Sequence, residues 1–310
     1  MSLAFVFPGQ GSQSVGMLAE LAEAVPVVGE TFAQASSVLG YDLWTVVQEG
    51  PEGELNRTSV TQPAMLSAGV AVWRAWQSRG GAEPIAMAGH SLGEYTALVC
   101  AGGLDFETAV ALVAERGRLM QGAVPAGEGA MAALLGLDDA AVIDVCERAG
   151  EGQVVSAVNF NAPGQVVVAG HKAAVERAVA LAKEAGAKRA VLLPVSVPSH
   201  CALMEPAAER LAERLREVEL KAPQIPVINN VDVAAATDPD AIRDALARQL
   251  HSPVRWVETI QAMAARSVNN LVECGPGKVL VGLNKRIARD MTAHPVFDSD
   301  GLDKALSETV

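Results

Sequence analysis

The sequence predicts an α/β fold in which a small domain is inserted into a large one. The chain has 310 residues, of which 50% are hydrophobic and 19% charged, so it can bury a sizeable core. An apolar run at 85–88 leads through a glycine-rich turn into a helical run at 94–101. Residues 126–196 follow the order strand, helix, strand, strand, helix, strand, which matches the ferredoxin-like split βαβ unit. We therefore expect a ferredoxin-like small domain at 126–196 and a large domain made of 1–125 and 197–310.

The composition excludes several classes of protein. The formal net charge of −12 argues against general nucleic-acid binding, which needs a basic face, although it leaves room for a local basic patch. The N-terminal apolar run lacks the basic region of a signal peptide, and no stretch approaches the length of a membrane span. The four cysteines, at positions 100, 146, 201 and 274, show no Cys-x-x-Cys pair and no metal-like spacing with histidine. We expect reduced thiols in a cytoplasmic protein that has no metal site.

Periodicity divides the first part of the chain into elements. We expect a strand at 3–7, helices at 15–23, 28–39 and 61–79, a strand at 85–88, and helices at 94–101 and 105–120. Pro63 fits the first turn of the helix at 61–79, and Asp105 is the predicted N-cap of the last helix. The apolar stripe that predicts core packing for the helix at 61–79 consists of Met65, Ala68, Val72 and Trp76.

The rest of the chain continues the alternation. The predicted small domain has strands at 130–137, 153–159, 165–169 and 188–195 and helices at 138–149 and 172–185. After it we expect a helix from 200 to about 218, a strand at 225–230, helices at 238–249 and 252–265, a strand at 271–273 and a helix ending near 287. Gly275-Pro-Gly-Lys278 lacks the spacing of a phosphate loop, so we interpret it as a structural turn. Residues 291–310 give no prediction.

Ser91 is the candidate nucleophile. It lies in Gly89-His-Ser-Leu-Gly93, a G-x-S-x-G motif between a predicted strand and a predicted helix. A serine on a tight, strained turn needs bare Cα atoms around it so that neighbouring backbone can pass closely. Such a turn exposes the hydroxyl and aims the Leu92 N–H at an incoming oxyanion. The alternative is an ordinary turn whose serine caps a helix.

Three further features each allow two interpretations. The loop Pro8-Gly-Gln-Gly-Ser-Gln13 either only ends a strand or presents its amides and Gln10 to the same cleft as Ser91. Arg116 lies beside an apolar helix face, and it either extends to water or points into a cleft. His200 either caps a helix or serves as a general base at a domain junction.

Six motifs occur in an order that is highly specific as a set. They are Pro8-Gly-Gln-Gly-Ser-Gln13, Gly89-His-Ser-Leu-Gly-Glu-Tyr95, Arg116, Asn159-Phe-Asn-Ala-Pro-Gly-Gln165, Pro198-Ser-His200 and Glu273-Cys-Gly-Pro-Gly-Lys278. The set resembles the malonyl-CoA:acyl carrier protein transacylases, in the stand-alone form of type II fatty acid synthesis. The likeness runs from about Phe5 to Ile287. It implies an α/β-hydrolase-like large domain with a parallel sheet and a ferredoxin-like insertion.

The resemblance also implies a catalytic role for matching residues. Ser91 carries the malonyl group as an ester, and His200 takes the Ser91 proton and later protonates the leaving thiolate. The backbone N–H groups of Gln10 and Leu92 form the oxyanion hole. The carbonyl of Gln249 orients His200.

Substrate recognition in this family implies a role for Arg116 and Asn161. Arg116 binds the malonyl carboxylate, because its planar fork can pair with a carboxylate through two hydrogen bonds. An acetyl group would leave a buried arginine unpaired, so the same contact selects the acyl group. Asn161 is the second implied substrate-binding residue.

The implied reaction is ping-pong acyl transfer. Serine needs a base within hydrogen-bond reach to act as a nucleophile. Coenzyme A leaves first, and the phosphopantetheine thiol of the carrier protein then takes the acyl group. No metal or redox cofactor is required. The expected partners are malonyl-CoA and an acyl carrier protein, and we expect a monomer that binds neither nucleic acid nor membrane.

The carrier protein of this family is acidic, so we expect a basic docking patch despite the net negative charge. The candidates are Lys188, Arg189, Lys285 and Arg286. The alternative is that these are scattered, solvated charges.

Two points stay open at this level. In the sequence of a typical α/β-hydrolase, the catalytic acid comes between the serine and the histidine. The aspartates available for that role between Ser91 and His200 include Asp105, Asp138, Asp139 and Asp144. A neutral carbonyl partner would stabilise the imidazolium less, which suits an acyl-serine that waits for a thiol. In related polyketide acyltransferases the residue before the histidine tracks malonyl against methylmalonyl choice, but Ser199 does not decide it here.

Two competing functions share some of these residues. A thioesterase or esterase would use the same serine and base, but with water as the acceptor and without need of Arg116. A non-catalytic subunit that binds a carrier protein would not need Ser91 and His200. Reaction with a serine-directed probe separates the non-catalytic subunit from the two enzymes, the transacylase and the hydrolase.

Overall fold

The structure is a computed structural model that describes residues 2–195 and 197–309. The predicted domain limits at residues 1, 196 and 310 therefore lie outside the described residues. The strands are β1 Leu3–Phe7, β2 Ala86–Gly89, β3 Gly129–Leu135, β4 Val155–Ala162, β5 Gln165–His171, β6 Arg189–Leu192, β7 Val227–Ile228, β8 Asn270–Cys274 and β9 Thr292–Val296. The helices are α1 Ala19–Ala24, α2 Val27–Leu39, α3 Leu43–Glu49, α4 Glu52–Leu55, α5 Thr58–Ser78, α6 Gly93–Cys100, α7 Phe106–Gly122, α8 Asp139–Gly150, α9 Lys172–Glu184, α10 Glu205–Arg216, α11 Pro239–Gln249, α12 Trp256–Ala265, α13 Val279–Ile287 and α14 Ser299–Glu308.

A parallel sheet organises the larger part of the molecule. Its strand order is β7-β2-β1-β8-β9, with β1 at the centre and buried throughout. Side chains of a strand alternate between the two faces of a sheet. Phe5 and Phe7 accordingly pack with α2, α5 and α7, whereas Ala4 and Val6 pack with α12 and α13 on the other face. Both faces are covered, which explains why the strand at 3–7 is continuously apolar, as predicted.

A separate antiparallel sheet forms from the residues of the predicted insertion. Its strand order is β4-β5-β3-β6. Helices α8 and α9 pack on it around their own apolar cluster, which includes Val142, Val168 and Val175. The predicted order of strand, helix, strand, strand, helix, strand is confirmed.

The long helix α5 differs from prediction at its start. It begins at Thr58, so Pro63 lies inside the helix and not in its first turn. Proline cannot donate a backbone hydrogen bond, and here the missing bond would be to the Ser59 carbonyl. Burial of nearly the whole helix, and packing of its first turn against α7, outweigh this local cost. The predicted core stripe on the helix is confirmed, because all four of its side chains are buried.

Several boundaries in the rest of the chain also differ from prediction. Left-handed backbone at Gly16 and Leu18 delays the first helix to Ala19. The helix expected from 252 starts only at Trp256, because Val254 pairs with Asn159 of the other sheet. Residues 291–310, for which no element was predicted, supply β9 and α14, and 40–55 contain α3 and α4.

The structure also bears on the state of the cysteines and on the lengths of the helices. All four cysteines are free thiols, as predicted. Within residues 2–195 and 197–309, every helix is too short or too polar to cross a lipid bilayer.

Gly117 determines how closely α7 approaches α5. A Cβ atom at this position would lie 2.7 Å from both the Ser59 Cα and the Thr58 carbonyl oxygen. We therefore expect Gly117→Ala to lower the free energy of unfolding by about 1–3 kcal/mol, measured by urea denaturation. Gly29→Ala in α2 is the matched control, since a Cβ there meets nothing within 4 Å. Equal destabilisation by the two substitutions would contradict the close contact.

Candidate active site

A cavity of about 240 Å³ lies between the two sheets. Polar residues from the loops of the parallel sheet reach into it, and the antiparallel sheet contributes apolar side chains that include Met131, Val167 and Leu193. An apolar cavity into which a small number of polar groups converge is typical of sites that bind small molecules. Of the predicted site residues, those that line it are Gln10, Ser91, Leu92, Arg116, Asn161 and His200.

Ser91 lies on the strained turn that the sequence predicts. Its φ of 51° is left-handed. A Cβ at Gly89 would lie 1.8 Å from the Gly93 carbonyl carbon, and a Cβ at Gly93 would lie 2.1 Å from the Phe7 carbonyl oxygen. Only glycine fits at these two positions, because the crowding atoms belong to the backbone and cannot move aside.

Asn230 holds this turn from the neighbouring strand, a role that sequence reasoning missed. The Ser91 N–H donates to Asn230 Oδ1 at 2.7 Å, and Asn230 Nδ2 donates to the Gly89 carbonyl oxygen at 2.7 Å. Asn230 follows β7, which pairs with β2 in parallel. The only available signal was its place at the carboxyl end of a predicted strand, where ligands collect in parallel sheets.

His200 contacts Ser91 directly. Its Nε2 lies 2.8 Å from Ser91 Oγ, and its Nδ1 lies 2.7 Å from the Gln249 carbonyl oxygen. A carbonyl can only accept, so Nδ1 carries the proton and Nε2 is free to accept the Ser91 hydroxyl proton. The prediction that a helix begins at His200 is wrong. His200 lies in a loop with φ 68°, tied to the Leu250 carbonyl by its own N–H, and α10 starts only at Glu205.

The aspartates considered as a third catalytic member lie elsewhere. Asp105 and Asp138 cap α7 and α8. Asp139 is in the first turn of α8, and Asp144 pairs with Arg148. The polar partner of His200 Nδ1 is therefore a main-chain carbonyl.

Burial controls the protonation of His200. The side chain is almost fully buried, and burial, aided by the nearby charge of Arg116, lowers the pKa of His200 to about 3. An imidazole that is neutral at pH 7 can act as a base.

The lowered pKa gives a testable pH profile. An ordinary histidine is half protonated near pH 6.5, whereas His200 stays neutral there. We expect the initial rate of Ser91 acylation to stay constant as the pH falls through this value and to decline only in more acidic solution. A half-maximal rate at about pH 6.5 would contradict the burial effect.

Arg116 is 1% exposed and points into the cavity, so the alternative that it extends to water is wrong. Its Nη1 donates to Gln62 Oε1 at 2.9 Å. Its Nη2 donates to Gln249 Oε1 at 3.0 Å and to Ser91 Oγ at 3.2 Å. The guanidinium also lies over Tyr95, with Cζ 5.3 Å from the ring centroid. Gln62 and the Gln249 side chain were not predicted to contact Arg116, since nothing in the sequence brings α5, α7 and α11 together.

Two backbone amides next to the serine are free to bind an oxyanion. Within the described part of the chain, neither the Gln10 N–H nor the Leu92 N–H has a hydrogen-bond acceptor. Both residues line the cavity beside Ser91. A Cβ at Gly9 would lie 2.6 Å from the His90 carbonyl oxygen, so the glycine lets the loop at 8–13 approach the serine turn.

Asn161 and the basic residues complete the predicted set. Asn161 Oδ1 lies 2.8 Å from His90 Nε2 at the cavity wall. The four cations proposed for docking are exposed, and they lie near one end of the strands of the antiparallel sheet. Arg286 donates to the Pro163 carbonyl in the β4–β5 turn and to the Gln165 side chain at the start of β5, and Leu135 pairs with both Gln165 and Arg189.

The sequence and the fold closely match those of known proteins. Residues 4–297 match the acyl transferase domain family. The chain is 62% identical to the malonyl CoA-acyl carrier protein transacylase of Escherichia coli (strain K12) over 303 residues, which cover 98% of each protein. It superimposes with a TM-score of 0.96 on an acyl carrier protein S-malonyltransferase from Vibrio cholerae, at 62% identity and with 98% of this chain and 99% of that one covered. A malonyl-transacylase solved with a holo type II PKS acyl-carrier protein gives a TM-score of 0.99 at 58% identity, covering 99% of this chain and 100% of that one.

Proposed function

The chain belongs to the acyl transferase domain family and is an acyltransferase, and we propose that it transfers the malonyl group from malonyl-CoA to the phosphopantetheine thiol of an acyl carrier protein. The observation that carries the proposal is the contact of Ser91 Oγ with both His200 and Arg116 in one cavity. These contacts support the proposal, because they bring together the three residues that we propose as nucleophile, base and carboxylate-binding group.

Acylation begins with attack of Ser91 Oγ on the thioester carbonyl carbon. His200 Nε2 takes the hydroxyl proton, and the Gln249 carbonyl holds the resulting imidazolium through Nδ1–H. The oxyanion accepts hydrogen bonds from the Gln10 and Leu92 amides. The carbon–sulfur bond then breaks, and His200 returns its proton to the coenzyme A thiolate.

Deacylation repeats the steps in reverse with a second thiol. The carrier thiol gives its proton to His200 and attacks the ester carbonyl, and Ser91 leaves with that proton. Arg116 holds the malonyl carboxylate through both half-reactions, and Asn161, at the cavity wall, contributes to substrate binding. Since proton transfer and oxyanion binding account for every step, the reaction requires no metal or redox cofactor.

The domain assignment belongs to the same proposal. We assign 1–125 and 197–310 to an α/β-hydrolase-like catalytic domain and 126–196 to a ferredoxin-like domain. The parallel sheet that carries Ser91 and the strand order β4-β5-β3-β6 support this assignment. The setting we propose is fatty acid biosynthesis by a cytoplasmic monomer.

Hydrolysis is the second candidate function, because an acyl-serine can also react with water. Buried Arg116 favours transfer, since a thioesterase needs no group for an acyl carboxylate. The two functions differ in the fate of the acyl group and not in its formation.

Intact mass after incubation with malonyl-CoA tests the proposal. We expect a malonyl adduct on the wild type, none on Ser91→Ala, little with acetyl-CoA, and movement of the adduct to a holo carrier protein. Release of free coenzyme A without an adduct would instead support hydrolysis. If neither an adduct nor free coenzyme A appears, both transfer and hydrolysis are ruled out. Comparison of fatty acid and polyketide carrier proteins as acceptors tests the pathway.

Docking of the carrier protein on the basic patch makes a separate prediction. The patch consists of Lys188, Arg189, Lys285 and Arg286, all exposed. Charge reversal to glutamate should raise the KM for the carrier protein and leave malonyl loading of Ser91 intact, because loading involves only the cavity. Charge reversal of the exposed Lys304 is the control, because its helix α14 packs on the opposite face of the parallel sheet from α13. Loss of loading itself would refute a docking role.

A further inference from the structure

Glu94 is a buried carboxylate that the proposed steps do not use. It lies in the first turn of α6, directly after the serine motif, and is 2% exposed. Removing a carboxylate from water is costly unless hydrogen bonds replace its solvation. Its partners therefore indicate what it does.

Two donors converge on one oxygen of Glu94. Its Oε2 accepts from the Asn230 backbone N–H at 2.8 Å and from Gln249 Nε2 at 2.9 Å. The Asn230 side chain holds the Ser91 turn on both sides. Glu94 thus connects the strand that supports the nucleophile with the end of α11.

The Gln249 side chain lies between Glu94 and Arg116. Its Nε2 donates to Glu94 and to the Ser91 carbonyl oxygen, and its Oε1 accepts from Arg116 Nη2. The two ends of an amide are chemically opposite, since one only donates and the other only accepts. A flipped amide would direct its N–H groups at the guanidinium and its oxygen at the carboxylate, and both contacts would be repulsive.

We propose that Glu94 is a positioning residue that fixes the orientation of the Gln249 amide and thereby holds Arg116 in place for the acyl carboxylate. This inference rests on the proposed function, because it concerns recognition of the malonyl group. Gln249 then has two separate tasks, because its main-chain carbonyl orients His200 and its side chain orients Arg116.

The acceptor oxygen of Glu94, and not its charge, does this. Burial raises the pKa of Glu94 to about 7, against the hydrogen bonds and the charge of Arg116, while Asp232 raises it further. A proton on Oε1 would leave Oε2 able to accept from both donors. Glutamine retains such an oxygen at this position, whereas methionine of similar length does not.

The test compares Glu94→Gln with Glu94→Met. We expect Glu94→Met to lower the ratio of malonyl to acetyl loading by about tenfold or more, because a displaced Arg116 no longer meets the carboxylate. Glu94→Gln should keep a ratio close to that of the wild type. Glu273→Met is the matched control, since Glu273 is equally buried but accepts from the Leu280 and Val281 amides of α13. It should lower the melting temperature without changing the ratio.

A second variant covers the case in which Glu94→Met does not fold. Gln249→Met keeps the carbonyl that holds His200 but removes the amide from Arg116, so it should lower the ratio as well. An unchanged ratio in the folded Met variants would overturn the proposal. An equal loss in Glu94→Gln and Glu94→Met would also overturn it, because the charge would then be responsible.

Failure of the positioning role of Glu94 and failure of the proposed function give different results. If the wild type forms no malonyl adduct, the function is wrong whatever Glu94 does. Crystal structures of the wild type and Glu94→Met then decide the positioning role. A rotated Gln249 amide and a displaced Arg116 support it, and unchanged positions of both side chains overturn it.

Discussion

Replacing His200 with alanine is expected to lower the rate of Ser91 acylation by roughly 10³- to 10⁶-fold. The Ser91 hydroxyl would lose the only base that contacts it among the described residues, the imidazole 2.8 Å away. Serine is a poor nucleophile without a base to accept its proton. Rapid-quench measurement of malonyl loading, with intact mass as the readout, gives the rate.

His171→Ala is the control for the loss of an imidazole. His171 lies at the end of β5, where Nδ1 accepts from the Val154 N–H, and it does not line the cavity. Its replacement should leave the loading rate near that of the wild type. A loading rate in His200→Ala within tenfold of the wild type would mean that another group activates Ser91.

Replacing Arg116 with alanine should reduce malonyl loading of Ser91 much more than acetyl loading. Loss of one partner of a buried, hydrogen-bonded charge pair costs roughly 2–5 kcal/mol, so malonyl loading should fall by about 100-fold. Acetyl loading should change much less, because an acetyl group has no carboxylate for Arg116 to bind. The measurement is kcat/KM for the two thioesters on the same preparation.

Arg118→Ala is the matched control on the same helix. Arg118 is exposed and lies only two residues further along α7. Both thioesters should load normally in this variant. Equal losses for malonyl and acetyl loading in Arg116→Ala would show that the arginine supports the fold of the site and does not recognise the substrate.

The strained serine turn could be predicted because its cause is local. Gly89 and Gly93 surround Ser91 within five consecutive residues, and the flanking strand and helix have clear patterns. The same locality explains why the order of elements in 126–196 was predicted correctly. Adjacent residues decide such features, so one sequence contains the information.

The hydrogen-bond network behind the serine could not be predicted in this way. Gln62 lies in α5, Asn230 in the turn after β7 and Gln249 at the end of α11, and they contact residues that are 54, 139 and 133 positions away, respectively. Polar residues in such positions are normally surface residues, and only burial gives them a fixed partner. The start of α5 at Thr58 is a similar case, since packing against α7 outweighs the position of Pro63.

The sequence alone determined the α/β class, the order of strands and helices in 126–196 and the position of the serine turn, because short-range periodicity and backbone sterics depend on neighbouring residues. Residue patterns left open whether Arg116 points inward and which group accepts from His200 Nδ1, and the tertiary structure decided both. The contact of Glu94 with Gln249 was visible only in the tertiary structure. These contacts join residues more than twenty positions apart. They form because folding removes these side chains from water, and partners within the protein then replace the lost hydrogen bonds to water.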